Sequence, residues 1–189
     1  MDDQVVFATP WFELVAKYPA GYSQPHYSIR TQDYVMVVAT TAEGRLLLVR
    51  QFRPAVGRMT LELPSGHVED GETPELAARR ELLEETGHVA EAFEFLGTLS
   101  PDTGRLANRM WCFFAADACP TDDAGFQPEP GIQRVIFKGS LSNLIAASEF
   151  DSALNTAALF HAVLLGHLSI QPGESVPTAD ELLTRLRLC

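Results

Sequence analysis

The chain has 189 residues, 46% of them hydrophobic and 21% charged, a length that suits one domain and a composition that excludes wholesale disorder. Its formal net charge of -11 disfavours a nucleic-acid partner, because an acidic surface repels phosphate backbones. A phosphate-bearing ligand would therefore need metal ions or local arginines as a bridge.

No apolar run is long enough to span a bilayer, so no membrane partner is expected. The start, Met1-Asp2-Asp3-Gln4, lacks the basic and apolar stretches of a secretory signal, and the expected location is cytoplasmic. The cysteines, Cys112, Cys119 and Cys189, are odd in number and widely spaced, which argues against a disulfide framework or a structural zinc site. Cys112 reads as a thiol packed in an apolar strand. His161 and His167 are six residues apart, on different faces of a helix, and do not suggest a shared metal.

In chain order, residues 11–17 read as a strand, broken by Tyr18-Pro19-Ala20-Gly21. Asp33 to Thr41 is Val-rich and reads as a buried strand, with Leu46-Leu47-Leu48-Val49 returning as its partner after a turn at Ala42-Glu43-Gly44. Met59 to Leu63 is a further strand, stopped by Pro64-Ser65-Gly66. Residues 74–86 give the clearest helix: Thr73 can cap it, Pro74 suits its first position, and Gly87 can end it in a left-handed conformation. Strands follow near 93–99 and 109–116, then a Pro-rich loop over Asp117 to Gly131 and a last strand from Ile132 to Phe137. Segments 140–148, 153–168 and 178–187 look helical. This order suggests an α/β fold, a mixed sheet with helices on its faces.

The helix at 74–86 carries Glu81, Glu84 and Glu85 within an arc of roughly 100°. Like charges at that spacing cost a helix a few tenths of a kcal/mol per pair, on the order of 0.2–0.5. A solvated acidic face is the ordinary explanation. Here, however, a loop rich in turn residues, Pro64 to Glu72, leads from a buried strand straight into the helix. Carboxylates facing such a loop make a hard-oxygen site suited to Mg²⁺ or Mn²⁺. Ala77 and Ala78 are expected to leave room beside them, with Leu76 and Leu83 marking the core side.

Gly66 to His88 resembles the Nudix box, G-x5-E-x7-R-E-U-x-E-E-x-G-U, where U is bulky and aliphatic. Glu72 follows Gly66 after five intervening residues, and seven more precede Arg80-Glu81-Leu82-Leu83-Glu84-Glu85-Thr86-Gly87. One position departs: His88 stands where an aliphatic residue is usual. The resemblance implies a Nudix-type α/β/α sandwich over residues 1–189, with a β extension at 1–32, a core at 33–138 and C-terminal helices at 139–189. It implies Mg²⁺ or Mn²⁺ held by Glu81, Glu84 and Glu85, with the Ser65 carbonyl beside Gly66 completing the shell. Arg80 would orient a box glutamate, and Glu72 would serve the loop–helix geometry.

Arg50-Gln51-Phe52-Arg53-Pro54 and Glu62-Leu63-Pro64-Ser65-Gly66 look like the branch that hydrolyses ADP-ribose and other nucleotide sugars. By that resemblance Arg53 would contact the substrate diphosphate and Glu62 would be a supporting carboxylate. Glu129, in the Pro-rich loop, is the candidate general base. Many members carry a proline about fifteen residues past the box; here Pro101 lies slightly early, and Thr103 stands near the usual position. The expected reaction is hydrolysis of the diphosphate of a nucleoside-diphosphate compound such as ADP-ribose, giving two monophosphates. Another nucleotide sugar, a dinucleotide polyphosphate, or a non-cutting nucleotide sensor remain as alternatives. Homodimers are common in this branch, and a homodimer is expected here.

Overall fold

Three strands open the chain in the computed structural model, which describes residues 3–123, 126, 127 and 129–170. They are β1 (Gln4–Ala8), β2 (Glu13–Lys17) and β3 (His26–Arg30), paired in order as a small antiparallel sheet. The sequence suggests only the middle one. β1 is short, apolar and exposed and β3 is mostly polar; cross-strand pairing and the ion pairs of Arg30 with Glu13 and Asp3 hold them.

The main sheet has seven strands. β4 (Tyr34–Thr40) and β5 (Leu46–Arg53) form the expected hairpin, β6 (Arg58–Glu62) turns back against β5, and the short β7 (Ser65–His67) pairs with β4. After α1 (Pro74–Thr86) and β8 (His88–Val89) come β9 (Glu94–Leu99), β10 (Met110–Ala115), β11 (Cys119–Pro120) and β12 (Ile132–Ile136). The main path runs β12-β5-β4-β10-β9. β10 lies parallel to β4 and the other pairs are antiparallel, so the sheet is mixed. The stretch expected as a plain loop after β10 contains β11, which pairs with β8 and draws the loop toward the end of α1.

Two cores follow from the period of two along β4. Val35, Val37 and Ala39 face α1, where Ala77, Ala78 and Leu82 are fully buried. Met36 and Val38 face the other side, covered by α2 (Leu141–Ile145) and α3 (Ala153–Leu164). These two helices are shorter than the segments the sequence suggests, and the expected helix at 178–187 lies outside the described residues. The core side of α1 also differs. Leu76 is 55% exposed, whereas Ala77 and Ala78, expected to leave space, are the residues packed on the sheet. Small side chains let the helix approach closely, which brings its glutamates down to the strand ends.

Cys112 is buried in β10, and burial pushes its thiol up to about 12. Cys119 is exposed and Cys189 lies outside the described residues. His167 falls beyond the end of α3 and stacks on Phe114, with ring centroids 4.5 Å apart.

Candidate active site

The entry to α1 sets the site. The Thr73 hydroxyl accepts a hydrogen bond from the Leu76 N–H at 3.3 Å, Pro74 begins the helix, and Gly87 ends it at φ 65° with its N–H on the Leu83 carbonyl at 2.7 Å. The capped helix therefore runs over the expected residues. Val68 N–H donates to the Asp33 carbonyl at 2.9 Å, anchoring the incoming loop to β4. On the far side Asn155 of α3 accepts from the Leu63 N–H at 2.6 Å, fixing the chain just before Ser65.

These elements leave an open cleft of about 960 Å³. Ser65 and Gly66 of β7, Arg80, Glu81, Glu84 and Glu85 of α1, Arg53 of β5 and Glu129 of the late loop all line it. Two expected residues stand behind the wall. Glu62 is held against Arg53, whose Nε and Nη2 donate to its two oxygens at 2.9 and 2.6 Å, while the Thr60 hydroxyl donates at 2.6 Å. Glu72 accepts from Arg80 Nε and Nη2 at 3.1 and 3.0 Å and from the Glu69 N–H at 3.1 Å.

Arg80 is the hub of the acidic face. Its Nη1 donates to Glu81 at 2.6 Å and to Glu84 at 3.1 Å, and its Nη2 to the His67 carbonyl at 2.8 Å. Those contacts hold its guanidinium firmly protonated, the hydrogen bonds to Glu72 foremost. The three glutamates differ in burial: Glu81 is 7% and Glu85 4% exposed, whereas Glu84 is exposed. Gly66 lies against Glu81: a methyl group there would overlap the Glu81 carboxylate, so that side chain would have to shift.

Burial pushes the Glu85 carboxyl up to about 8; the Ser65 N–H, donating at 2.8 Å, works against that, and Glu81 and Glu129 add to it. Burial also raises Glu81, with Arg80 opposing. In contrast Glu72 is held below the usual carboxylate range, chiefly by the hydrogen bonds from Arg80.

The cleft thus presents Glu69, Glu81, Glu84, Glu85 and Glu129 against two arginines, both already matched by Glu62 and Glu72. As the side chains stand, no three His, Cys, Asp or Glu groups among the described residues converge on one point, since Arg80 holds Glu81 and Glu84 while Glu85 turns to Ser65. The donor chemistry nevertheless fits a divalent cation: all are hard oxygens, and two, Glu81 and Glu85, are desolvated. A diphosphate entering this excess of carboxylates needs such compensation.

Sequence reasoning missed several residues of the cleft. Trp11 and Gln32 reach it from the N-terminal segments, and Trp11 is 75% exposed. Gln51, two residues before Arg53 on the same strand face, lines the cleft with its Nε2 buried and without a hydrogen-bond partner. That spacing of two was the available signal for Gln51; nothing local marked Trp11.

The NUDIX domain family model matches residues 30–138. The chain is 51% identical over 89 residues to the ADP-sugar pyrophosphatase of Mus musculus, covering 46% of this chain and 40% of that one. It is 41% identical over 73 residues to the ADP-ribose pyrophosphatase of Bacillus subtilis strain 168, covering 39% and 40%. Both matches span less than half the length of those relatives. A longer match, 31% identical over 132 residues and covering 69% of this chain and 70% of the relative, is to the ADP compounds hydrolase NudE of Escherichia coli strain K12. A crystal structure of an ADP compounds hydrolase superposes with a TM-score of 0.70 over 89% of this chain and 95% of that one, at 24% identity, which shows the shared fold.

Proposed function

Because the chain belongs to the Nudix hydrolase family, we propose that it hydrolyses the diphosphate linkage of ADP-ribose or a related ADP-sugar, giving two monophosphates. The observation that carries this reading is the meeting of buried Glu81 and Glu85 with Arg53 and Arg80 at the same cleft. Mg²⁺ or Mn²⁺ held by Glu81, Glu84 and Glu85, with the Ser65 carbonyl, would neutralise the diphosphate and lower the pKa of an attacking water.

The chain's own groups would then share the remaining work. Arg53 keeps Nη1 without a protein partner among the described residues, so it can donate to a phosphate oxygen without releasing Glu62. Arg80, pinned by Glu72, fixes the Glu81 carboxylate. Glu129, at the open side of the cleft, takes the proton of the water as it attacks one phosphorus and the bridging P–O bond breaks. Trp11 offers an exposed aromatic face at the rim for the nucleobase. The reading includes a homodimer through the small N-terminal sheet, where Val5, Val6 and Phe7 of edge strand β1 are exposed. It also includes a cytoplasmic location; among the described residues no helix is long and apolar enough to cross a membrane.

The test is turnover of a panel of nucleotide sugars and dinucleotide polyphosphates with Mg²⁺, reading monophosphate products. AMP and ribose 5-phosphate from ADP-ribose is the expected result. A panel in which only dinucleotide polyphosphates are cut would overturn the substrate class, and one in which a nucleotide binds uncut would overturn the reaction.

A further inference from the structure

Between β6 and β7 the chain changes partners. Glu62 closes the pairing of β6 with β5 and Ser65 opens that of β7 with β4, so Leu63 and Pro64 belong to neither ladder. The Pro64 carbonyl still accepts the Val37 N–H at 2.9 Å, and proline has no N–H of its own. The remaining donor at the crossing is the N–H of Leu63, a fully buried residue. A buried N–H without an acceptor is costly, and here the acceptor is a side chain, Asn155 Oδ1 at 2.6 Å.

Asn155 is itself fixed. It is 2% exposed and lies in the first turn of α3, with its N–H on the Ser152 cap hydroxyl. The chain entering α3 is fastened to the same strands. Arg50 of β5 donates from Nε and Nη2 to the two Glu149 carboxylate oxygens, each at 2.8 Å, and the Leu61 N–H of β6 donates to the Glu149 carbonyl at 2.8 Å. Beyond the crossing, the Ser65 N–H donates to the Glu85 carboxylate at 2.8 Å. A side chain of the helical layer opposite α1 is thus joined to a buried carboxylate of the cleft. The path is one hydrogen bond, two peptide units stiffened by Pro64, and a second hydrogen bond.

We propose that Asn155 is a positioning residue of the cleft. By holding Leu63 it keeps the Ser65 N–H on Glu85, and so sets where that carboxylate stands, without touching substrate or metal itself. The kinetic consequence rests on the reading of the cleft as a metal-dependent hydrolase site; the link from Asn155 to Ser65 does not.

Three measurements on the full-length protein test this: amide hydrogen exchange without metal, Mn²⁺ binding by electron paramagnetic resonance, and steady-state kinetics on ADP-ribose. Asn155→Leu removes the acceptor at similar size. Asn155→Ala opens space for a water on the Leu63 N–H and serves should Asn155→Leu not fold. In either variant the Ser65 amide should exchange at least about tenfold faster than in the parent. Mn²⁺ affinity and kcat should each fall by about tenfold or more, as for other supports of metal-binding side chains. Asn155→Asp keeps an acceptor oxygen of the same shape and should stay within about threefold of the parent in all three. Leu159→Ala, which opens a cavity on the same helix away from Leu63, should lower Tm and leave the Ser65 amide, Mn²⁺ affinity and kcat at parent values below the melting range. Unchanged Ser65 exchange in Asn155→Leu and Asn155→Ala overturns the proposal. Parent-like Mn²⁺ affinity and kcat in them do so too, as do equal losses in Leu159→Ala, which would mean general softening of the fold. A parent that cuts no nucleotide sugar sinks the substrate reading instead, and the exchange and Mn²⁺ measurements still decide the role of Asn155.

Discussion

Glu84 and Glu85 differ in setting although they are neighbours: one is solvated beside Arg80, the other buried on the Ser65 N–H. Replacing either with Gln keeps size and helix propensity and removes one charge. Steady-state kinetics should show kcat down by about 10²-fold or more for each. Thermal melting should show no loss at Glu85→Gln, because the substitution removes a desolvated carboxyl and keeps an acceptor for Ser65. Arg53→Ala should lower kcat/KM by roughly 2–3 kcal/mol across all nucleotide sugars alike, since they share the diphosphate. It should also lower Tm, as Glu62, 8% exposed, would keep only the Thr60 hydroxyl. Adding Glu62→Gln should recover Tm and leave activity low, which separates the two effects. His88, the one departure from the box pattern, is buried with its Nδ1–H on the Thr86 carbonyl at 2.8 Å. Burial pushes its pKa below the ordinary value of 6.5; the hydrogen bond opposes this and Arg134 reinforces it. The unfolded chain then takes up this proton at a higher pH than the folded one. The imidazole's contribution to stability is therefore full above the unfolded value and is lost as pH falls toward and through the folded one. His88→Leu should flatten the fall of Tm between about pH 7.5 and 5.5, near the ordinary histidine range. An unchanged slope would place the acid sensitivity elsewhere.

The helix α1 and the strand β7 before it act as one device. The Thr73 cap, Pro74 and the left-handed Gly87 fix where the helix starts and stops, and Ala77 and Ala78 let it lie close on the sheet. Close approach puts the Glu81 carboxylate against the Cα of Gly66, with no room for a side chain. Gly66→Ala should therefore push Glu81 off Arg80. Activity should fall by on the order of tenfold or more while far-UV circular dichroism stays that of the parent, since the strand itself tolerates alanine. Parent-like kinetics would mean that Glu81 has freedom the packing does not suggest. The bounds of this helix were legible in the sequence because caps and a helix period act within a few residues. Its buried side was not. Leu76 and Leu83 outrank two alanines in hydrophobicity, but the sheet selects by shape and takes the small residues and Leu82.

Across the molecule, the acidic excess of the whole chain and that of the cleft point the same way: an anionic substrate needs cations to enter. Metal-stripped protein with excess chelator should show no turnover, and millimolar-range Mg²⁺ or Mn²⁺ should restore it, as expected for weakly held hard-oxygen sites. Activity retained under chelation would remove the metal from the reading. The sequence by itself determined the family, the mixed α/β class, the central helix to the residue and the identity of the clustered glutamates. All of these are written in short-range spacing. The tertiary structure alone decided which residues share the cleft. Trp11 and Gln32 arrive from the connections before β2 and β4, Asn155 reaches back to Leu63 across 92 positions, and Arg53 meets Glu62 across the pairing of β5 with β6. It also decided that Glu85 is buried and Glu84 solvated, though they are adjacent in sequence. Caps, periods and spacings are set within a turn or two of chain, whereas burial and long-range pairing depend on which surfaces the whole fold brings into contact, and no local rule contains that information.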